Sequence, residues 1–183
     1  LVLLAENNKG YDNLIKIVSY GFKDGFYYKP RVDIELLEKY HEGIIALSAC
    51  LAGPVARTII RQGYDKAKEV ALRYNNIFGE NNFFLELQDH MDGSVDQQTV
   101  NQSLMRMHQE TGIPLVATND CHYISPEDAE AHDILLCIQT NTTVDEADRM
   151  RYEGGQYYVK SPEEMYSLFP YAHQACENTY KIA

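Results

Sequence analysis

The chain has 183 residues, 45% hydrophobic and 23% charged, which is enough apolar material for one globular domain with a buried core. Its 27 acidic against 16 basic residues give a formal charge of -11, which argues against a surface that wraps nucleic acid, because phosphate binding draws its affinity from Lys and Arg displacing counterions. No apolar run approaches the roughly 20 residues that span a bilayer, Leu1–Ala5 lack the basic flank of a signal peptide, and Cys50, Cys121, Cys137 and Cys176 form no C-x-x-C pair, so a cytoplasmic protein with reduced thiols and no membrane partner is expected.

Leu1–Ala5 reads as a buried strand. Asp12 reads as the N-cap of a short helix carrying Leu14, Ile15, Ile17 and Val18, with Gly21 as its stop. Phe26–Arg31 mixes aromatic and basic residues, and in so acidic a chain a packed loop with a basic rim is favoured over a platform for stacking single-stranded bases. Gly43 introduces the apolar run Ile44–Leu47, after which Pro54 sits well for the first turn of a helix running to Gly63. A longer helix over Asp65–Phe78 follows, with Ala67, Val70, Ala71, Tyr74, Ile77 and Phe78 on one stripe and Gly79 as its stop.

Phe83–Leu87 is the next strand, Gln97–Glu110 the next helix, and Ile113–Ala117 another short buried strand. Ser125-Pro126-Glu127-Asp128 and Ser161-Pro162-Glu163-Glu164 each combine a capping hydroxyl, a proline at the first helical position and first-turn acids, so each predicts a helix start. Asn141–Gln156, with Gly154-Gly155, predicts a loop or small hairpin that ends in Gln156–Lys160. The chain opens on Leu1 and closes on Lys181-Ile182-Ala183 in a helical pattern, so it is expected to be cut at both ends.

Buried strands alternating with amphipathic helices call for an α/β fold, a parallel sheet with helices outside, open or closed into a barrel. Three of the strands end in polar clusters: Ser48-Ala49-Cys50, Gln88-Asp89-His90 and Thr118-Asn119-Asp120-Cys121-His122. In parallel folds the carboxyl ends of the strands are where sites are built.

Asp120 and His122 are two apart, so on an extended chain they point the same way and can place a carboxylate and an imidazole on one ion. The bland alternative has Asp120 capping a turn and His122 bonded to a backbone carbonyl. Cys50 suits zinc as a thiolate, or packs as a buried thiol. Cys121 is expected to point away and pack, and Cys137 and Cys176 fall in helical patterns as core. His90 reads as a group supporting metal ligands or as a loop histidine, the first being preferred. His41, His108 and His132 are expected in solvated or capping roles. No phosphate-binding G-x-x-x-x-G-K-[ST], G-x-G-x-x-G or G-x-S-x-G motif occurs.

In order, Leu1–Ala5, Gly25–Asp33, Leu47–Gly53, Leu85–His90, Ala117–Tyr123, Asp128–Thr140 and Lys160–Met165 resemble the polymerase-and-histidinol-phosphatase (PHP) domain of bacterial replicative DNA polymerase III alpha subunits. The resemblance spans essentially the whole chain, taken here as one partial domain, residues 1–183. It implies a fragment of a distorted (β/α)7 PHP-type barrel, with a metal cluster at the strand ends in members that keep the ligands. Matched residue by residue, the family's cysteine ligand falls on Cys50 and its final aspartate and histidine ligands on Asp120 and His122, with His90 near the site.

The family's leading histidine-x-histidine and its other early ligands lie upstream of Leu1, so this segment alone is expected to bind metal poorly. The resemblance implies a parent DNA-directed DNA polymerase with magnesium at a separate polymerase site, zinc or manganese at the PHP site, and 3′–5′ exonuclease chemistry there. The alternative is a non-catalytic scaffold that stabilises the polymerase and docks a proofreading partner. DNA, held by other parts of the polymerase, and the replication holoenzyme subunits are the implied partners. The aromatic-basic block and the match after Tyr123 favour this branch over a free-standing histidinol-phosphate-type phosphatase.

Overall fold

A computed structural model describes residues 1–183. Four strands, β1 (Val2–Ala5), β2 (Ile44–Leu47), β3 (Phe83–Leu87) and β4 (Leu115–Ala117), form one sheet in the order β1-β2-β3-β4. β2, β3 and β4 are parallel, as the alternating pattern requires. β1 departs from that expectation and runs antiparallel to β2, with Val2 opposite Leu47 and Ala5 opposite Ile44. Two helices, α1 (Asn8–Lys23) and α2 (Ile34–Tyr40), pack together between β1 and β2. The second of them, unforeseen in the sequence, adds a chain reversal.

The α1 boundaries also differ from expectation. Asn7, not Asp12, caps the helix, its side chain accepting the Gly10 N–H at 3.0 Å, and Gly21 lies inside the helix rather than at its end. α2 is capped by Asp33, which accepts the Leu36 N–H at 2.9 Å. α3 (Pro54–Gln62) and α4 (Tyr64–Phe78) follow as expected, and α5 (Val95–Thr111) starts two residues before the expected Gln97 because Ser94 is its cap. A 3₁₀ turn at Pro126–Asp128, closed by Ser125 and Asp128, leads into α6 (Ala129–Thr140). α7 (Pro162–Leu168) opens on the Ser161–Glu164 capping box, and α8 (His173–Ile182) ends the chain. Gln156–Lys160 forms no hairpin; its one bridge is parallel, Tyr158 to Tyr123.

Both faces of β2, β3 and β4 are covered, which is why these strands read as continuous apolar runs rather than alternating ones, whereas β1, expected to be buried, lies at the sheet edge with Val2, Leu4 and Ala5 exposed. Ile44, Ala46, Phe83, Leu85, Leu87, Leu115 and Ala117 point into the main core with residues of α3, α4, α5 and α8. Ile45, Leu47, Phe84 and Val116 form a smaller cluster on the opposite face, against which Ile182 packs. Cys137 and Cys176 are buried, as expected. Phe26, Tyr27 and Tyr28, expected to pack, are exposed, with Arg31 5.0 Å from the Tyr27 ring centroid.

Gly10 marks the closest approach in this layer. A Cβ at Gly10 would lie 1.7 Å from the carbonyl oxygen of Gly43, itself at φ +72°. Alanine is the better helix former by about 1 kcal/mol, yet Gly10→Ala is expected to lose about 2 kcal/mol, because the clash is with backbone that cannot swing aside. Urea denaturation of the variant gives the sign.

A second tie joins α4 to α5. Glu110 accepts hydrogen bonds from Lys68 at 2.7 Å, Tyr64 at 2.8 Å and Arg106 at 2.7 Å. Lys68 first, then Tyr64 and Arg106, hold its carboxyl down to about 2 from an ordinary 4.5. The folded protein therefore binds fewer protons at Glu110 than the unfolded chain between these values, so stability from this group is complete above pH 4.5 and lost as pH falls toward 2. Glu110→Gln is expected to flatten that part of the stability profile, measured as the urea midpoint against pH.

Candidate functional site

The polar residues that end β2, β3 and β4 meet over a buried hydrogen-bonded base. Glu86, on β3 and 5% exposed, is its centre. One carboxylate oxygen accepts the Ala49 N–H at 2.9 Å, and the other accepts the Thr118 hydroxyl at 2.6 Å and the Gln88 amide at 3.3 Å. The Glu86 N–H donates to the Ser48 hydroxyl at 2.8 Å. Asn101 of α5 donates to the Gln88 carbonyl at 2.8 Å and accepts from Gln97 at 3.0 Å, which ties the helix to the strand end. One acid thus links the chain just past β2, β3 and β4.

Above this base the backbone turns sharply. Ala49 has φ +66° and Asp120 φ +47°, a left-handed conformation uncommon for residues with a side chain. Its cost is borne where the surroundings fix it, as the Glu86 bond to Ala49 does. The turn at Asp120 overturns the extended geometry expected for Asp120 and His122. Asp120 and His122 are both exposed, and the His122 Nδ1–H donates to the Asp120 carbonyl at 2.7 Å, the plainer of the two roles read for this histidine. That bond leaves Nε2 as the ring's free nitrogen. Cys121, expected to pack, is exposed with its Sγ 3.3 Å from the Tyr158 carbonyl, and Cys50 is half-buried.

The segment after Gly155 closes on this rim. Asn119, 6% exposed, donates to the carbonyls of Gln156 at 2.8 Å and Tyr158 at 2.7 Å, and the His122 N–H donates to Tyr157 at 2.7 Å. Lys160 donates to Asn119 Oδ1 at 3.2 Å, and burial pushes its pKa down.

His90, 8% exposed, stacks on Tyr157 with centroids 4.2 Å apart, and its Nδ1 is buried without a hydrogen-bond partner. Burial holds its pKa below the ordinary histidine value, and the acids Asp120, Asp92 and Asp89 pull the other way. Tyr152 lies 4.2 Å from the His122 ring. Burial raises its hydroxyl pKa, and the negative potential of Asp120 and Cys50 adds to the rise.

His90 and His122 therefore share one aromatic cluster with Tyr152 and Tyr157, and Asp120 and Cys50 lie near enough to act on the Tyr152 hydroxyl through their charge. The three expected ligands do not converge further: no three His, Cys, Asp or Glu side chains gather into a metal site. A closed zinc site needs about four ligands, so these residues by themselves do not fit a bound zinc or manganese ion.

Besides Tyr152 and Tyr157, two further participants escaped the sequence reading. His132, expected to be solvated or capping, sits on α6 with its ring 5.5 Å from His122 and 5.2 Å from Tyr152. Only the helix start fixed by Ser125-Pro126 hinted at its direction. Glu86 is the other, an acid within the apolar run Phe-Phe-Leu-Glu-Leu of β3, and such a residue in a two-sided buried strand must find hydrogen-bond donors.

Residues 1–90 match the PHP domain family. The whole chain is similar to DNA polymerase III subunit alpha of Borreliella burgdorferi, 45% identical over 183 residues, which are 100% of this chain and 16% of that protein. The corresponding subunits of Thermus aquaticus and Helicobacter pylori are 41% and 40% identical, again across 100% of the chain and 15% and 16% of their own lengths. The chain thus spans about a sixth of the relatives it matches. No helix is long and apolar enough to cross a membrane.

Proposed function

We propose that the chain is part of the PHP domain of a bacterial replicative DNA polymerase III alpha subunit, a reading supported by the match of residues 1–90 to the PHP domain family. The observation that carries this is similarity running through 100% of the chain to such subunits, not only through the 1–90 match. The parent reaction is template-directed DNA synthesis from nucleoside triphosphates, with magnesium at a site in sequence outside this segment. DNA and the holoenzyme subunits engage those outer parts, since this segment carries a charge of -11.

In the complete domain, a (β/α)7 barrel, Cys50, Asp120 and His122 contribute part of a ligand set for divalent zinc or manganese. Ligands from sequence before Leu1 complete it, and His90 supports it from behind. Glu86 and its donors hold the strand ends in place. The bound metal would supply Lewis acidity and an activated water for 3′–5′ phosphodiester hydrolysis. The competing reading is a non-catalytic scaffold that docks a proofreading partner.

One experiment separates the readings. The longer polypeptide that carries this chain is assayed for primer extension and for release of 3′-terminal nucleotides, beside a variant with Asp120→Asn and His122→Ala. The catalytic reading predicts that nucleotide release is lost while extension persists. The scaffold reading predicts that the variant leaves both rates unchanged. A polypeptide unable to extend a primer contradicts the polymerase assignment itself.

A further inference from the structure

Between Thr143 and Gly155 the chain makes its backbone and side-chain hydrogen bonds almost entirely with itself. The Glu146 carboxylate accepts the Thr143 N–H at 2.7 Å and the Thr143 hydroxyl at 3.2 Å, and Arg151 donates to the Glu146 carbonyl at 2.8 Å. One side-chain pair reaches another element: Arg149 Nη1 donates to Asp133 Oδ1 at 2.6 Å and Nη2 to Oδ2 at 2.5 Å. The fork is bidentate, the geometry that fixes direction as well as distance. The Arg149 side chain is 3% exposed and its Nε is buried with no partner.

Each end of this pair is attached to the site. Asp133 follows His132 on α6, and Arg149 precedes Tyr152 by three residues. The Tyr152 ring lies 4.2 Å from His122, 5.2 Å from His132 and 4.7 Å from Tyr157. On the far side of Tyr152 the chain is anchored by Asn119 and the His122 N–H at Gln156–Tyr158, so the Asp133–Arg149 pair is the side-chain tie to another element on the near side.

We propose that the Asp133–Arg149 pair is the positioning device that seats Tyr152 against His122 and His132, closing the rim of the strand-end site with a loop distant in sequence. The inference deepens the PHP reading, since His122 is one of its ligands, and identifies Asp133 and Arg149 as positioning residues. A lysine at 149 keeps the charge but cannot make the two-pronged bond.

The test is NMR of the histidine rings in the 183-residue chain, which has six histidines. Tyr152→Leu first defines the ring-current displacement that the tyrosine imposes on the His122 and His132 proton resonances. Arg149→Lys and Asp133→Asn are then expected to lose most of the same displacement, while His41, His108 and His173 stay at their parent positions. Parent positions for His122 and His132 in both variants, where Tyr152→Leu moves them, would overturn the proposal. Collapse of all six histidine resonances in both variants would overturn it too, because the pair would then hold the fold rather than the tyrosine. Neither metal nor DNA enters the readout, so failure of the metal-site reading leaves this result interpretable.

Discussion

Phe83→Ala is expected to destabilise the protein by about 4 kcal/mol, the upper range for truncating a buried aromatic. Phe83 is fully buried at the start of β3, the strand flanked on both sides by parallel neighbours. Its ring stacks on Tyr74 of α4, with centroids 5.7 Å apart and planes 29° from parallel. Truncation removes contacts from a helix and a sheet at once, and β3, held by β2 and β4, cannot collapse into the space. Because whole domains are stable by about 5–15 kcal/mol, one substitution would consume a large share. Urea denaturation followed by far-UV circular dichroism measures it, and a loss below about 1 kcal/mol would mean that the surroundings close over the cavity.

The second large effect is expected at Glu86. Glu86→Ala leaves the Ala49 N–H and the Thr118 hydroxyl without their acceptor in a part-buried setting, while the Gln88 amide keeps the Thr118 hydroxyl oxygen at 3.1 Å. Orphaning buried donors costs about 1–3 kcal/mol each when no water relieves them, so a net loss of about 3 kcal/mol is expected after partial rearrangement. Glu86→Gln keeps one acceptor oxygen but turns an amide NH₂ toward a donor, and about half that loss is expected. Hydrogen exchange at Ala49 supplies the local readout: it should accelerate in Glu86→Ala, where the N–H loses its acceptor, and less in Glu86→Gln, whose amide oxygen can keep that bond while its NH₂ donates to the Thr118 hydroxyl oxygen. Unchanged exchange there would show that the left-handed turn before Cys50 stands without Glu86.

Much of the architecture could be read directly from residue types. β2, β3 and β4 announce themselves as apolar runs because both faces of each are covered, and Pro54 and the Ser161–Glu164 box mark helix starts through local chemistry alone. Strand direction is different in kind: Leu1–Ala5 looks the same parallel or antiparallel, and its antiparallel pairing with β2 is seen only in the fold. The start of α1 differs from the expected Asp12 because Asp and Asn are both good caps and the Asn7 side chain accepts the Gly10 N–H.

The site divides along the same line. Cys50, His90, Asp120 and His122 were found because they end strands, a position that sequence marks. Their mutual geometry was not, because a positive φ at Asp120 has no signature in an Asn-Asp-Cys-His run. His132, Tyr152 and Tyr157 reach the rim through α6 and a loop whose placement depends on the long-range Arg149–Asp133 and Asn119 contacts. Glu86 was passed over as a neighbour of the strand end, since its role appears only when Ala49 and Thr118 come alongside.

Metal content is the most direct test of whether these strand ends belong to a shared PHP site. The longer polypeptide is purified without chelator, its divalent metals are quantified by elemental analysis, and Cys50→Ser, Asp120→Asn and His122→Ala variants are measured beside it. Bound zinc or manganese in the parent, reduced in every variant and missing from the isolated 183-residue chain, is the expected result. A parent without metal, or variants that keep the parent's full complement, would contradict the assignment of Cys50, Asp120 and His122 as ligands.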